Sequence, residues 1–152
     1  MMNKITFVLP TLKQGGMERV VVELANFYSK QGFEINIICL FRAEIMYFVE
    51  PNVKIRMPDL EYNGTVFNKI KVFNKLYANL KRYSKDCIVL GFGERFNSLS
   101  ILACRMLSLK IFISDRNNPL ANNGYLNDKI RNLLYPFANG IIAQTEFSKG
   151  HF

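Results

Sequence analysis

The order of apolar and polar positions along the chain predicts an alternation of strands and helices. Six short runs are almost continuously apolar at their centres, as in parallel strands buried on both faces: Lys4–Leu9, Glu34–Phe41, Val53–Met57, Cys87–Gly91, Lys110–Ser114 and Gly140–Ala143. The segments between them carry apolar residues at helical spacing: Met17–Lys30, Val66–Lys81, Asn97–Leu107 and Leu126–Phe137. The pattern predicts an α/β fold with a doubly wound, mostly parallel sheet, formed as a single domain over residues 1–152.

The loop between the first strand and the first helix closes on Gly15-Gly16. In a βαβ unit this loop lies at the carboxyl end of the strand, where open α/β sheets bind ligands. Glycines let backbone N–H groups come close to a phosphate, and the helix N-terminus behind them favours negative charge. Gly15 and Gly16 are therefore predicted to bind a phosphorylated ligand. The structural alternative is a tight turn that only joins strand to helix.

The whole chain has a net charge of +8, and positive charge is concentrated in one part of it. The stretch between Tyr62 and Lys85 has no acidic residue and six basic ones: Lys69, Lys71, Lys75, Lys81, Arg82 and Lys85. Its helix has Val66, Ile70, Phe73, Tyr77 and Leu80 at the spacing of a core-facing stripe. A basic face on such a helix is usually just solvated. The functional alternative is an anionic membrane surface, with Lys69, Lys71 and Lys75 as the contacts.

Several classes of function are disfavoured by composition. The one histidine is His151, which removes histidine-based metal sites and Ser-His-Asp or Cys-His catalysis, so no metal site is predicted. No apolar run reaches the roughly 18 residues of a membrane span, and the N-terminus carries no recognisable signal peptide. No nucleic-acid-binding motif accompanies the basic stretch. The three cysteines lack metal spacing and indicate reduced core thiols of a cytosolic protein: Cys39, Cys87 and Cys104.

Three motifs together resemble the N-terminal domain of the GT-B glycosyltransferases, in the large retaining family often called family 4. Residues 15–19, Gly-Gly-Met-Glu-Arg, are similar to the family's opening glycine loop and first helix. Residues 114–119, Ser-Asp-Arg-Asn-Asn-Pro, are similar to a loop of bacterial capsule and surface-polysaccharide transferases. Ile141–Thr145 with Glu146 is similar to the strand and helix start that close the half-domain.

The resemblance implies a Rossmann-like half of a GT-B fold and a part in polysaccharide biosynthesis. Such enzymes move a sugar from a nucleotide sugar, the co-substrate, to an acceptor hydroxyl with retention of configuration and, as expected here, without a metal cofactor. Their N-terminal domain mainly holds the acceptor, a glycan or a lipid-linked molecule. Their C-terminal donor-binding domain, with its Glu-x7-Glu motif, is absent from this sequence. The expected function is therefore the acceptor-binding half of a hexosyltransferase, inactive or nearly so alone, cytoplasmic or peripheral at the inner face of the membrane. The alternative is a non-enzymatic α/β module that binds a phosphorylated ligand.

The same resemblance suggests roles for individual residues. Gly15 and Gly16 would contact the donor diphosphate across the interdomain cleft. Asp115 stands near the place where some members carry a histidine, and its carboxylate would accept a proton or a hydrogen bond from a sugar hydroxyl. The other predicted substrate-binding residues are Glu94, Arg95, Arg116, Asn117 and Asn118. Structural alternatives stay open, since Glu94 could simply complement a helix N-terminus and the Asp115 loop could be shaped by its own turn chemistry.

Overall fold

The computed structural model describes residues 3–83, 85–115 and 125–143. Its strands are β1 (Lys4–Leu9), β2 (Glu34–Cys39), β3 (Lys54–Arg56), β4 (Cys87–Phe92), β5 (Lys110–Asp115) and β6 (Gly140–Ala143). Its helices are α1 (Gly16–Lys30), α2 (Val66–Leu80), α3 (Glu94–Met106) and α4 (Tyr125–Leu134), with a 3-10 turn at Tyr135–Phe137. The six predicted strands and the four helices predicted between them are present. Arg116, Asn117, Asn118 and the predicted helix start at Thr145 lie outside the described residues.

The six strands form one all-parallel sheet in the order β3-β2-β1-β4-β5-β6. This is a doubly wound, Rossmann-like arrangement, which confirms the predicted fold class. The chain runs outward from β1 to β3 on one side and from β4 to β6 on the other. A crevice therefore opens above the carboxyl ends of β1 and β4, where ligands bind in folds of this type.

Two apolar clusters cover the two faces of the sheet. Alternate residues of β1 belong to different clusters, because successive side chains of a strand point to opposite faces. Phe7 and Leu9 pack with α1, whereas Val8 packs with the side chains of α2 and α3. Within the described residues, no helix has the length and apolar content required to cross a bilayer.

Two helix boundaries differ from the prediction by more than one residue. Helix α3 begins at Glu94, three residues before the predicted start, because Gly93 turns the chain with a φ of 101° directly after β4. Helix α4 gives way to a 3-10 turn at residue 135, since Pro136 has no N–H to donate to the preceding turn.

The prediction for the buried face of α2 was partly wrong. The residues that face the core are Asn68, Val72, Leu76 and Leu80. Val66 and Ile70, predicted to face inward, are 74% and 53% exposed. Two hydrogen bonds accompany this rotation in the first turn: Thr65 Oγ1 accepts the N–H of Asn68, and Asn68 Nδ2 donates to the carbonyl of Glu61, so the inward-facing amide is paired.

Candidate functional site

The glycine loop lies at the carboxyl end of β1, as predicted. Gly15 is the N-cap of α1, and no side chain caps the helix among the described residues. The first N–H groups of a helix have no partner within it. A Cβ added to Gly16 would meet nothing within 4 Å, so there is open space beside Gly16. A Cβ on Gly15 would collide with the carboxylate of Glu18. Gly15 and Gly16 thus have different surroundings.

Tyr47 holds the glycine loop from the side. Its hydroxyl accepts the N–H of Gly15 at 2.9 Å and donates to the carbonyl of Gly15 at 2.8 Å. Its ring packs against the apolar cluster beneath α1. The N–H of Gly15 is therefore already paired, and an anion would meet the later donors of the turn, starting at Gly16. Sequence reasoning missed Tyr47, because nothing in its irregular segment indicates which loop it contacts.

The segment around Tyr47 is fastened along α1 by polar contacts. Asn26 donates through Nδ2 to the carbonyl of Phe48 and accepts the N–H of Glu50 through Oδ1, both at 2.9 Å. Lys30 Nζ lies 2.9 Å from Glu50 Oε1. This connection between β2 and β3 follows no regular secondary structure, yet several bonds fix its course. These contacts fix the backbone around Tyr47, so its hydroxyl is held next to Gly15.

Glu94 and Arg95 begin α3 directly above β4, and their surroundings differ. Glu94 Oε1 is 2.6 Å from Nη1 of Arg131 on α4, with only 4% and 17% of the two side chains exposed. Arg95 is exposed. Glu94 thus lies in the first turn of α3, where its charge complements the helix N-terminus, but it also joins α3 to α4. Arg131 was not singled out from the sequence, since pattern reasoning does not identify a partner on another helix.

A cavity of about 510 Å³, counting the solvent at its mouth, lies where α2, α3 and α4 begin. It is lined by Lys69, Glu94, Arg95, Ser98, Leu99, Asp128, Ile130 and Arg131. Three positive and two negative side chains therefore surround one space, next to the carboxyl edge of the sheet. The cavity brings the predicted residues Glu94 and Arg95 together with Lys69, which was predicted only as a membrane contact.

Asp115 is the last residue of β5, and its backbone lies opposite Ala143 of β6. It is thus at the same edge of the sheet as the glycine loop and the start of α3. Among the described residues, no group of three or more His, Cys, Asp or Glu side chains is placed to hold a metal ion.

The cysteines are buried and free, as predicted. Burial raises the pKa of the Cys39 and Cys104 thiols to about 12. Burial also raises the pKa of Cys87, whose Sγ lies 3.3 Å from Thr6 Oγ1. A thiolate is the reactive form of cysteine, so these three side chains are poor nucleophiles at neutral pH.

No family model matches this chain. It is 33% identical, over 147 residues, to GalNAc-alpha-(1->4)-GalNAc-alpha-(1->3)-diNAcBac-PP-undecaprenol alpha-1,4-N-acetyl-D-galactosaminyltransferase of Campylobacter jejuni. The match covers 92% of this chain and 40% of the relative, so the chain spans less than half the relative's length. The predicted resemblance to a bacterial glycosyltransferase is confirmed by this match, and the all-parallel sheet fits one Rossmann-like half of such an enzyme.

Proposed function

We propose that this chain is the acceptor-binding half of a retaining glycosyltransferase that moves a sugar from a nucleotide sugar to a glycan or lipid-linked acceptor. The observation that carries the proposal is the 33% identity to a glycosyltransferase over 92% of the chain. By its name, that relative extends a diphosphate-linked undecaprenol glycan. We therefore propose the same class of acceptor, a glycan on a diphospho-lipid, for this chain.

In this proposal the donor diphosphate binds at the glycine loop. Supporting features are the lack of a side-chain cap on α1 and the open space beside Gly16. The N-terminal N–H groups of a helix and its dipole favour a phosphate at this point. Helix α2 differs, since Thr65 caps it. Tyr47 keeps the peptide groups of Gly15 fixed, so that the following N–H groups keep one orientation.

The acceptor binds on the other side of the crevice, along the starts of α3 and α4. Arg95 and Lys69 supply positive charge at the cavity, and Ser98 supplies a hydroxyl. Asp115, at the end of β5, acts on the acceptor hydroxyl as hydrogen-bond or proton acceptor. The loop residues Arg116, Asn117 and Asn118 complete the acceptor site in this proposal.

Activity requires a second half that covers the crevice. Sugar transfer develops negative charge on the leaving diphosphate, which is stabilised by donors placed around it with water excluded. The glycine loop provides donors from one side only. We therefore expect no turnover of a nucleotide sugar by the isolated chain. Steady transfer by the purified chain would contradict this assignment of roles.

Helix α2 is the proposed contact with an anionic membrane, which would keep the protein peripheral at the inner face. Its first two turns expose Val66, Phe67 and Ile70 by 74%, 66% and 53%. Lys71 Nζ lies 4.5 Å from the centroid of the Phe67 ring. Apolar side chains interleaved with lysines favour binding to an anionic membrane. The apolar side chains enter the region below the headgroups, and the lysines contact the negatively charged headgroups.

The decisive experiment is Gly16→Val in a two-domain protein that joins this chain to a donor-binding half. Open space at Gly16 allows the fold to accept valine, but the new side chain would obstruct a diphosphate. We expect transfer activity to fall at least tenfold. Glu23→Val is the matched control, because Glu23 is exposed on the same helix, away from the loop. Unchanged kinetics in Gly16→Val would assign the loop a structural role alone.

A further inference from the structure

Asn97 is a buried polar residue between the carboxyl ends of β4 and β5. Its side chain lies on α3 and is 1% exposed. Its Nδ2 donates to the carbonyl of Ser114, with 3.3 Å between the atoms. A carbonyl oxygen can only accept, so the amide nitrogen must face Ser114 and Oδ1 must face away. The orientation of the carboxamide is therefore fixed by its chemistry.

The oxygen of this carboxamide is buried, and it has no hydrogen-bond partner among the described residues. Burying a polar atom without a partner costs free energy, and such atoms are uncommon in folded proteins. An apolar side chain of similar size would avoid that cost. The presence of asparagine here therefore needs a reason other than stability.

Gly91 makes room for the carboxamide. A Cβ at residue 91 would lie 3.1 Å from Oδ1 of Asn97 and 3.4 Å from Cγ2 of Ile113. Both distances are at or below ordinary van der Waals contact. Gly91 is not among the described residues with positive φ, so its backbone does not demand glycine. The small residue on β4 and the amide on α3 thus form a complementary pair.

The hydrogen bond from Asn97 reaches the residue next to Asp115. Ser114 already lies opposite Phe92 on β4 and Ile142 on β6. Asn97 adds a hydrogen bond from α3 to the carbonyl of Ser114. The same helix begins with Glu94 and Arg95, so Asn97 links the two segments to which the acceptor was assigned.

We propose that Asn97 is a positioning residue that fixes the end of β5 relative to the start of α3, and so sets where Asp115 meets the acceptor. This inference rests on the proposed function, in which Asp115 contacts the acceptor hydroxyl. Asn97 itself is too buried to touch a substrate. It acts through the Ser114 carbonyl, and Gly91 supplies the space that the interaction requires.

The first test follows the end of β5 by NMR on the present chain. Asn97→Leu keeps the size of the side chain and removes the hydrogen bond, and it also removes the orphaned oxygen, so the fold should persist. We expect the amide resonances of Ser114 and Asp115 to shift and their hydrogen exchange to become faster. Ser100→Ala is the matched control, since Ser100 is equally buried on α3 but bonds within the helix, to the carbonyl of Phe96. Unchanged resonances in Asn97→Leu would overturn the proposal.

The second test separates positioning from packing in the two-domain protein. The double variant Gly91→Ala with Asn97→Ala adds a methyl group at residue 91 and shortens the side chain at residue 97. The methyl group fills part of the space left by the carboxamide, so packing is largely restored while the hydrogen bond is absent. We expect the acceptor KM to rise at least fivefold in Asn97→Leu and in the double variant, with the donor KM unchanged. A wild-type acceptor KM in the double variant would overturn the proposal. Wild-type transfer by Asp115→Asn would instead contradict the role proposed for Asp115, whatever the NMR result.

Discussion

Pro10 and Gly93, which directly follow β1 and β4, lie against each other, and they fit because Gly93 has no side chain. A Cβ on Gly93 would lie 3.0 Å from both Cγ and Cδ of Pro10. Gly93 also has a φ of 101°, a conformation that residues with a Cβ rarely adopt. The two loops that flank the crevice are thus held against each other by contact and by backbone conformation.

We expect Gly93→Ala to destabilise the fold. Backbone strain of this kind costs about 1–3 kcal/mol, and the contact with Pro10 adds to it. Urea unfolding followed by circular dichroism would measure the loss. Gly16→Ala is the control, because its Cβ has open space and its position begins a helix. Equal unfolding midpoints for the two variants would contradict the role given to the Pro10 contact.

Tyr47→Phe should loosen the glycine loop without disturbing the core. The variant keeps the ring and loses the two hydrogen bonds to Gly15, which predicts a decrease of about 1–2 kcal/mol in the free energy of unfolding. Hydrogen exchange at the Gly15 amide should become faster. Tyr28→Phe removes a hydroxyl from another ring that packs on the same cluster and should cost less. A Gly15 amide as protected as in the wild type would argue against this account.

The Glu94–Arg131 pair should matter more to stability than an exposed pair. Glu94→Gln replaces a nearly buried carboxylate, which lies 2.6 Å from Nη1 of Arg131, with a neutral amide, and we expect a loss of about 1–3 kcal/mol. Glu23→Gln breaks the pair between Glu23 and Arg19, whose side chains are 62% and 70% exposed, and should have a much smaller effect on stability because solvent screens exposed charges. Denaturant titration of both variants measures the difference. Similar losses would mean that the burial of Glu94 has no energetic consequence.

Glu34 should make stability depend on pH in the acid range. Hydrogen bonds from Lys54 and then Lys4 lower the pKa of Glu34 below its ordinary value of 4.5. The carboxylate therefore stabilises the fold above pH 4.5, and this contribution disappears as the pH falls through the lowered pKa. Because the three side chains are more than a third exposed, Glu34→Gln should cost less than about 1 kcal/mol at pH 7. The difference from the wild type should shrink as the pH falls below 4.5 and through the lowered pKa of Glu34, and a constant difference would contradict the linkage.

Helix α2 should bind anionic vesicles reversibly. Each basic residue near such a surface contributes on the order of 1 kcal/mol, and salt weakens the attraction. We expect the chain to co-sediment with anionic vesicles at low salt, not with neutral ones, and to be released by added salt. Replacing Lys69, Lys71 and Lys75 with Gln should weaken binding.

The control for this experiment removes the same charge elsewhere, by changing Lys13, Arg105 and Lys110 to Gln. These three residues are exposed and lie outside α2. Retained binding in the control, together with loss in the α2 variant, would place the contact on α2. Equal binding by both variants would mean that the basic face of α2 is merely solvated.

The sheet could be predicted from the sequence because its central strands are mostly apolar and alternate with amphipathic helical segments, a pattern typical of parallel strands buried on both faces. The buried face of α2 could not, because apolar spacing alone favoured Val66 and Ile70, whereas Asn68 faces inward. Apolar spacing does not register a buried polar residue such as Asn68, so it selected the wrong face of the first two turns.

The candidate site was predictable only in outline. The position of Glu94 after a strand was enough to place it at the carboxyl edge, because all strands of the sheet run the same way. Its partner Arg131, and the contact of Tyr47 with Gly15, join segments that are distant in the chain. Such pairs depend on how the helices, strands and loops pack in three dimensions. The pattern of residues in a single sequence does not identify which distant residues come into contact.

The strand order also has a consequence for how the chain reaches its folded state. Lys4 lies opposite Glu34 on one side and opposite Cys87 on the other, so the centre of the sheet is completed by a strand that is far away in sequence. Closing that large loop has an entropic cost that is recovered only when β4 docks. The unit β1-α1-β2 is compact and local, and we expect it to form early, with an open edge on β1 until β4 arrives. Pairing of strands that are distant in sequence slows folding, and until β4 docks the unpaired N–H and C=O groups along one edge of β1 are open to wrong partners.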